Sequence, residues 1–273
     1  MRRGPARALW AGLLLGAAAC ARVPPPDLSA DPALLRDQVR AAQDRVRSCR
    51  GSARVGISSP EVSGSIDAWI AAEKPDRVRV ELLDFFGNPA ALLVAGGGRF
   101  SLYDAGAGAL YRGEDTPENL RRLLPVPVGS RALAALVCGS IPLLDGDVMT
   151  ARPGDGVMLL DLASPAGRQS LAVGPEGTVR SARTEPAQGT GSPWSVSFDV
   201  FRHRAGAFVP TDAELEGEGA SVSLHWKEDR EVNGPMEPDA FRLDPPRGAR
   251  VVELGADAAP PAVELPLRPA TRR

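Results

Sequence analysis

The stretch VELLDFFGNPAALLVA, residues 80–95, sets two apolar runs on either side of a short turn. Upstream, Val78, Val80 and Leu82 alternate with Arg79 and Glu81. That period of two is the pattern of a strand with one buried and one solvated face, as in an antiparallel sheet. Downstream, AALLVA predicts the returning strand, and Gly87, Asn88 and Pro89 supply turn chemistry between the two. The hairpin carries an anomaly. Phe85 and Phe86, two of only seven phenylalanines in the chain, fall at its tip. An aromatic left in water forgoes about 1.5–3 kcal/mol of burial. Either one ring folds onto the sheet and the other rests beside Pro89, or a membrane or partner covers the pair.

The same period continues on both sides. Before the hairpin, GSARVGIS and VSGSIDAWIAAEK read as strands; after it come AALLVAGG, GRFSLYD and GALYRG. From residue 147 the strands resume with DVMTARP, GVMLLDLAS, RQSLAVG, TVRSARTE, PWSVSFDVFRHR, AFVPTDAELEG and ASVSLHWKEDREV. Three segments break the pattern. DPALLRDQVRAAQDRVRSC carries Leu34, Leu35, Val39, Ala42 and Val46 at helical spacing, with Asp31 placed to cap and Pro32 at the first helical position. TPENLRRLL begins with Thr116 as cap and Pro117 behind it, and its apolar side is Leu120, Leu123 and Leu124. A third helix starts near Ser130 and is closed by Gly139.

The expected fold class is therefore α+β, mostly β. A strongly curved antiparallel sheet forms an unclosed β-barrel, and about three helices cover its concave face. No internal repeat or linker divides residues 33–256, which read as one domain. The Ala- and Pro-rich tail, residues 257–273, is expected to be disordered.

The N-terminus reads as a targeting segment. Arg2, Arg3 and Arg7 form a positive region, residues 8–16 a short apolar one, and Ala17, Ala18 and Ala19 the small residues before a cleavage site. The apolar run falls short of the roughly 20 residues that span a bilayer. Small residues followed by Cys20 resemble a bacterial lipobox, with Ala17 where Leu is usual. The resemblance implies that residues 1–19 are a signal peptide and that Cys20 is acylated. It also implies outer-membrane sorting, since Ala21 and not Asp follows the cysteine. RVPPPDLSADP then reads as a flexible tether over residues 20–32.

Removal of residues 1–19 takes away three arginines and leaves 29 basic against 34 acidic residues, a charge of −5. That balance argues against nucleic acid and against electrostatic gripping of anionic headgroups. Two further cysteines remain, Cys49 and Cys138. In an oxidising compartment such a pair is expected to be bridged; two buried free thiols are the alternative.

Catalytic signatures do not appear. His203 and His225 lack the spaced partners of a zinc site, and no G-x-S-x-G occurs. AGGGRF lies between strands without a following Lys-Ser/Thr, so it is a turn and not a phosphate cradle. No cofactor, metal or enzymatic activity is expected.

The strand and helix order, and above all residues 78–144, resemble the LolA/LolB group of periplasmic lipoprotein carriers and receptors. The resemblance rests on the stretch VELLDFFGNPAALLVAGGGRFSLYDAGAGALYRGEDTPENLRRLLPVPVGSRALAALVCGSIP and on the closing segment DAFRLDPPRGARVVEL. It implies a hydrophobic cavity that takes lipoprotein acyl chains or other lipid delivered by a LolA-like carrier. It implies too that a protruding apolar loop, here Phe85 and Phe86, helps pass cargo into the outer membrane. In this chain the loop is short and carries aromatics where Leu is usual.

By alternation, the cavity walls would be Ile66, Ala68, Ile70, Val78, Val80, Leu82, Phe100, Leu102, Leu160, Trp194, Val196, Phe198, Leu224 and Trp226. Leu120, Leu124, Leu133 and Leu136 would close it from the helices. An ordinary packed core presents the same set. Two functions follow: a monomeric, lipid-anchored acyl-chain receptor, or an envelope scaffold or lipoprotein-sensing module with a filled core.

Overall fold

A computed structural model describes residues 27–121, 125–146, 148–237, 239–255 and 263–269. Cys20, the signal segment, Leu123 and Leu124 lie outside the described residues. The chain opens with helix α1 (Pro32–Asp44), whose N-cap Asp31 accepts hydrogen bonds from the amides of Ala33 and Leu34. Six strands follow: β1 (Ser48–Ser58), β2 (Ser63–Glu73), β3 (Arg77–Leu83), β4 (Pro89–Gly96), β5 (Arg99–Asp104) and β6 (Ala109–Glu114). Short helices α2 (Pro117–Leu120) and α3 (Ser130–Val137) come next. The second half holds β7 (Val148–Pro153), β8 (Met158–Ser164), β9 (Gly167–Val173), β10 (Val179–Pro186), β11 (Trp194–Arg204), β12 (Ala207–Gly217) and β13 (Ala220–Trp226). Two short strands, β14 (Glu231–Val232) and β15 (Arg250–Glu253), complete it.

All the strands join one sheet in the order β15-β6-β5-β4-β3-β2-β1-β13-β12-β11-β10-β9-β8-β7, with β14 beside β1. The two halves meet where β1 pairs antiparallel with β13, Val55 opposite Leu224. The sheet does not close: its ends are β15 and β7. One pair departs from the antiparallel expectation, because β15 runs parallel to β6. A parallel neighbour needs a long crossover, and residues 115–249 supply it.

Alternation within the strands decides which residues face inward. Gly64, Ile66, Ala68, Ile70 and Ala72 of β2 are buried, whereas Ser65, Asp67, Trp69 and Glu73 between and beyond them are only half-buried and Ser63 is exposed; Ala71 alone breaks the alternation. α3 packs over β2, β3 and β4, and α1 packs over β7 and β8. Gly139 ends the helix after α3: its φ of 74° is left-handed, and the ring of Pro210 occupies the space a Cβ would need.

β4 is buried on both faces, as its continuous apolar run requires. Its outer side is flanked by the 239–244 segment, whose carbonyls at Ala240 and Arg242 accept from Arg79 and whose Leu243 carbonyl accepts from Arg112.

Both terminal segments, as far as they are described, lie against the domain. Residues 27–31, placed in the tether, fold back on the domain: Gln38 donates to the Asp27 carbonyl and accepts from the Ser29 amide. Residues 263–269 lie against the domain, with Val263 buried and Leu265 and Leu267 packed on the core. Ala and Pro dominate the tail, but V-x-L-x-L within it has the period of an extended segment with one apolar face.

Candidate functional site

The residues assigned to the concave face come together. Ile66, Ala68, Ile70, Val78, Val80, Leu82, Phe100, Leu102, Leu120, Leu133, Leu136, Leu160, Trp194, Val196, Phe198 and Trp226 are buried in a single apolar cluster. Leu224 is half-buried against it. β3 and β5 carry their members at every second position. The side chains pack on one another and on α1 and α3, so the face is occupied in this state. A cleft of about 770 Å³ opens elsewhere, between the end of α1, the turn at Lys74 and the loop after α3, and its walls are mixed and polar. Lys74 lies in it and donates to the Gln43 carbonyl at 2.6 Å. Burial pulls the Lys74 ammonium below the usual lysine range.

The β3–β4 turn resolves the anomaly at its tip. Phe85 is 76% and Phe86 84% exposed, so neither ring folds inward. The rings meet edge to face, with centroids 5.5 Å apart. Asp84 builds the turn beneath them. Its Oδ1 accepts from the amides of Phe86 and Asn88, both at 2.8 Å, and its Oδ2 accepts from Asn88 Nδ2 at 3.2 Å. The Asp84 amide donates to the Asn88 carbonyl, and Gly87 takes a left-handed φ of 84°. The Asn88 and Phe86 donors hold the Asp84 carboxyl below the usual aspartate range. Asp84 was not singled out from the sequence. Its signal was an acidic residue at the first position of a Gly-containing turn.

A second unassigned residue touches the tip. The Arg268 guanidinium lies 5.4 Å from the Phe85 ring centroid and 3.3 Å from Asp67. Asp67 also pairs with Lys227 at 3.0 Å and Arg54 at 3.4 Å. Burial opposes ionisation of Asp67, but the Lys227 hydrogen bond and the three cations together hold its carboxyl low.

Cys49 and Cys138 are brought together, both buried and both free thiols. Their sulfurs stand 3.2 Å apart, against about 2.05 Å for a bonded pair. The two thiols are adjacent and unbonded, the arrangement of two buried free thiols. Arg230, itself 3% exposed, lies nearby, donating to the Val137 carbonyl and stacked 4.6 Å over Trp226. Burial raises the Cys49 thiol, but the Cys138 hydrogen bond and the charges of Arg230 and Lys74 outweigh it and pull Cys49 down. Cys138 is pushed well up by its hydrogen bond with Cys49 and by burial.

His225 lies exposed on the outer face with Nδ1 2.5 Å from Asp212, and His203 rests edge-on against Phe208. Among the described residues, no cluster of His, Cys, Asp and Glu is arranged to hold a metal, and no helix is long and apolar enough to cross a membrane.

No protein-family model and no curated protein matches the sequence. Solved structures do match the fold. An outer membrane lipoprotein-sorting protein domain from Vibrio parahaemolyticus superposes with TM-score 0.53 at 9% identity, over 76% of this chain and 95% of that one. A LolA superfamily protein from Nitrosomonas europaea gives 0.51 at 13% identity, over 77% and 97%. A DUF1329 family protein from Desulfovibrio piger gives 0.56 at 12% identity, over 78% and 98%. At these identities the likeness is one of fold, and the fold is LolA/LolB-like.

Proposed function

We propose that this chain is a monomeric envelope protein, tethered to the outer membrane by an acylated Cys20, that receives acyl chains of lipoproteins or other lipids. The chains lie against the concave apolar face, and the Phe85–Phe86 tip hands them to the bilayer. The observation that carries the reading is the tip: two aromatics, more than three-quarters exposed, held on a turn that Asp84 fixes with three hydrogen bonds. A flexible loop would let at least one ring bury itself. A rigid turn presents both, and contiguous exposed apolar surface marks a membrane or partner site. The sheet beneath continues directly from that turn into the apolar cluster.

Acyl chains would enter by parting α1 and α3 from the sheet, a minor state that a lipid with higher affinity for it would populate. Cargo would come from a LolA-like periplasmic carrier. Differential affinity among carrier, this chain and bilayer drives transfer, and no nucleotide or cofactor is needed.

The test uses a fluorescent fatty acid and phospholipid vesicles. The native protein takes up the fatty acid and passes it to vesicles. Phe85→Glu with Phe86→Glu keeps uptake and loses delivery. Absence of uptake by the native protein would sink the receptor reading.

The packed concave face favours a second reading, a non-catalytic scaffold or lipoprotein-sensing module of the same fold. In that case the double variant loses a protein partner and no lipid property changes.

A further inference from the structure

We infer that residues 263–268 form a strap closing the rim of the concave face, and that insertion of the Phe85 tip into a bilayer releases it. The inference rests on the membrane-tip reading above.

The strap is seated by its backbone. Ser65 and Arg268 exchange two main-chain hydrogen bonds, the Ser65 amide to Arg268 at 2.9 Å and the Arg268 amide to Ser65 at 2.8 Å. β3 pairs with β2 only as far as Asp67, opposite Leu83. The strap therefore takes the place beside β2 that β3 leaves open, at the end of the sheet that carries the tip.

Its side chains alternate as a strand's do. Val263, Leu265 and Leu267 turn to the core cluster. Arg268 turns outward to Asp67 and Phe85. Gly64 lies on the same inward parity as Ile66 and Ala68. A Cβ there would meet the Arg268 carbonyl at 2.6 Å and Leu267 Cβ at 2.7 Å. The missing side chain at Gly64 is the seat of the strap, and apolar side chains of the chain's own tail cover the rim.

Arg268 links the strap to the tip. Its guanidinium sits between the Asp67 carboxylate and the Phe85 ring. When Phe85 enters hydrocarbon, Arg268 cannot follow without leaving water and Asp67. The contact breaks, and the two main-chain bonds at Ser65 lose one of the anchors that hold them. The rim thus opens when the tip meets a membrane and stays covered in the periplasm.

Amide hydrogen exchange tests this. The mature chain carries Cys20→Ser, so that vesicles are reached only through the folded domain. Vesicles of phosphatidylethanolamine and phosphatidylglycerol should speed exchange at Ser65 and Arg268 about tenfold or more, since local opening sets that rate. Phe85→Ser with Phe86→Ser should abolish the acceleration. Co-sedimentation with vesicles and unchanged exchange would overturn the coupling while leaving the tip reading standing. Failure to sediment at all would overturn both.

Gly64→Ala displaces the strap without a membrane, and its φ lies outside the left-handed region, so the backbone accepts alanine. Exchange at Arg268 should rise, and fatty-acid uptake should quicken severalfold. Faster exchange with uptake unchanged overturns the closing role, and unchanged exchange overturns the seat at Gly64. Absence of uptake in every variant sinks the acyl-chain reading, while exchange still reports the strap.

Discussion

Phe100 and Phe86 are the same residue type on adjoining hairpins, and they meet opposite fates. Phe100 is 2% exposed on β5; Phe86 is 84% exposed on the turn before β4. Leu82, on β3 four residues before Phe86, is fully buried. Within a strand the pleat fixes which way a side chain points, and the apolar set falls inward as a unit. In the turn no pleat operates, and hydrogen bonds to Asp84 decide. The concave cluster shows apolar residues stabilising the fold. The tip shows apolar residues withheld from it. If that contrast is right, perturbing the two regions separates stability from membrane contact.

The largest effect is expected in the cluster. Leu82→Ala should lower the unfolding free energy by about 2–5 kcal/mol, through lost burial and the cavity left behind. Phe86→Ala should change it by about 0.5 kcal/mol or less. Denaturant unfolding of both measures the difference directly. Similar losses for the two would mean that the tip is part of the core after all.

The buried thiols come next. Cys49 lies on β1 and Cys138 at the end of α3, 89 residues apart, with their sulfurs already in contact. Oxidation by a disulfide donor would join them by exchange, the donor leaving as its dithiol. The bond should add about 2–4 kcal/mol, mainly by constraining the unfolded chain. Thermal unfolding with and without reductant reads this out, and Cys138→Ala should abolish the dependence. A native protein that unfolds identically under both conditions would show that the pair stays reduced.

The tip gives a smaller effect of a different kind. Phe85→Ser with Phe86→Ser should leave unfolding unchanged but weaken binding to phosphatidylcholine vesicles. Burying each ring is worth about 1.5–3 kcal/mol, so the loss should reach tenfold or more. Undiminished binding would move the membrane contact elsewhere on the molecule.

These expectations also mark what the sequence made legible. Alternation in RVRVELL and RFSLYD made the burial of Val78, Val80, Leu82, Phe100 and Leu102 legible, because the strand period is local and the core lies on one side. The N-caps at Asp31 and Thr116 were readable for the same reason: a cap needs only its own next three residues. What escaped was set by distant chain. Arg268 reaches Asp67 and Phe85, about 200 residues away in sequence. β15 joins β6 in parallel only because the whole second half of the sheet intervenes. Whether the concave face is hollow or filled is likewise a property of how α1 and α3 seat, which alternation cannot register.

Asp84 supplies the last and smallest test, and it acts on the tip alone. Hydrogen bonds from Asn88 and Phe86 stabilise its carboxylate, so its folded pKa lies below the unfolded one. A group depressed in this way favours the folded turn fully at pH values above its unfolded pKa. That contribution is lost as pH falls through the folded pKa. Binding to phosphatidylcholine vesicles, whose headgroup keeps no net charge near neutrality, should therefore stay flat from neutral pH down to the usual aspartate range. It should weaken below that range, as the protonated carboxyl releases the Phe86 and Asn88 amides and the rings lose their fixed presentation. Asp84→Ala should bind weakly at every pH and show no such step, while its unfolding midpoint stays near that of the native chain. Circular dichroism across the same range separates the local change from global acid unfolding. If native protein and Asp84→Ala titrate alike, the turn is held by Gly87 and the strands rather than by the carboxylate, and the contrast between tip and core rests on chain geometry alone.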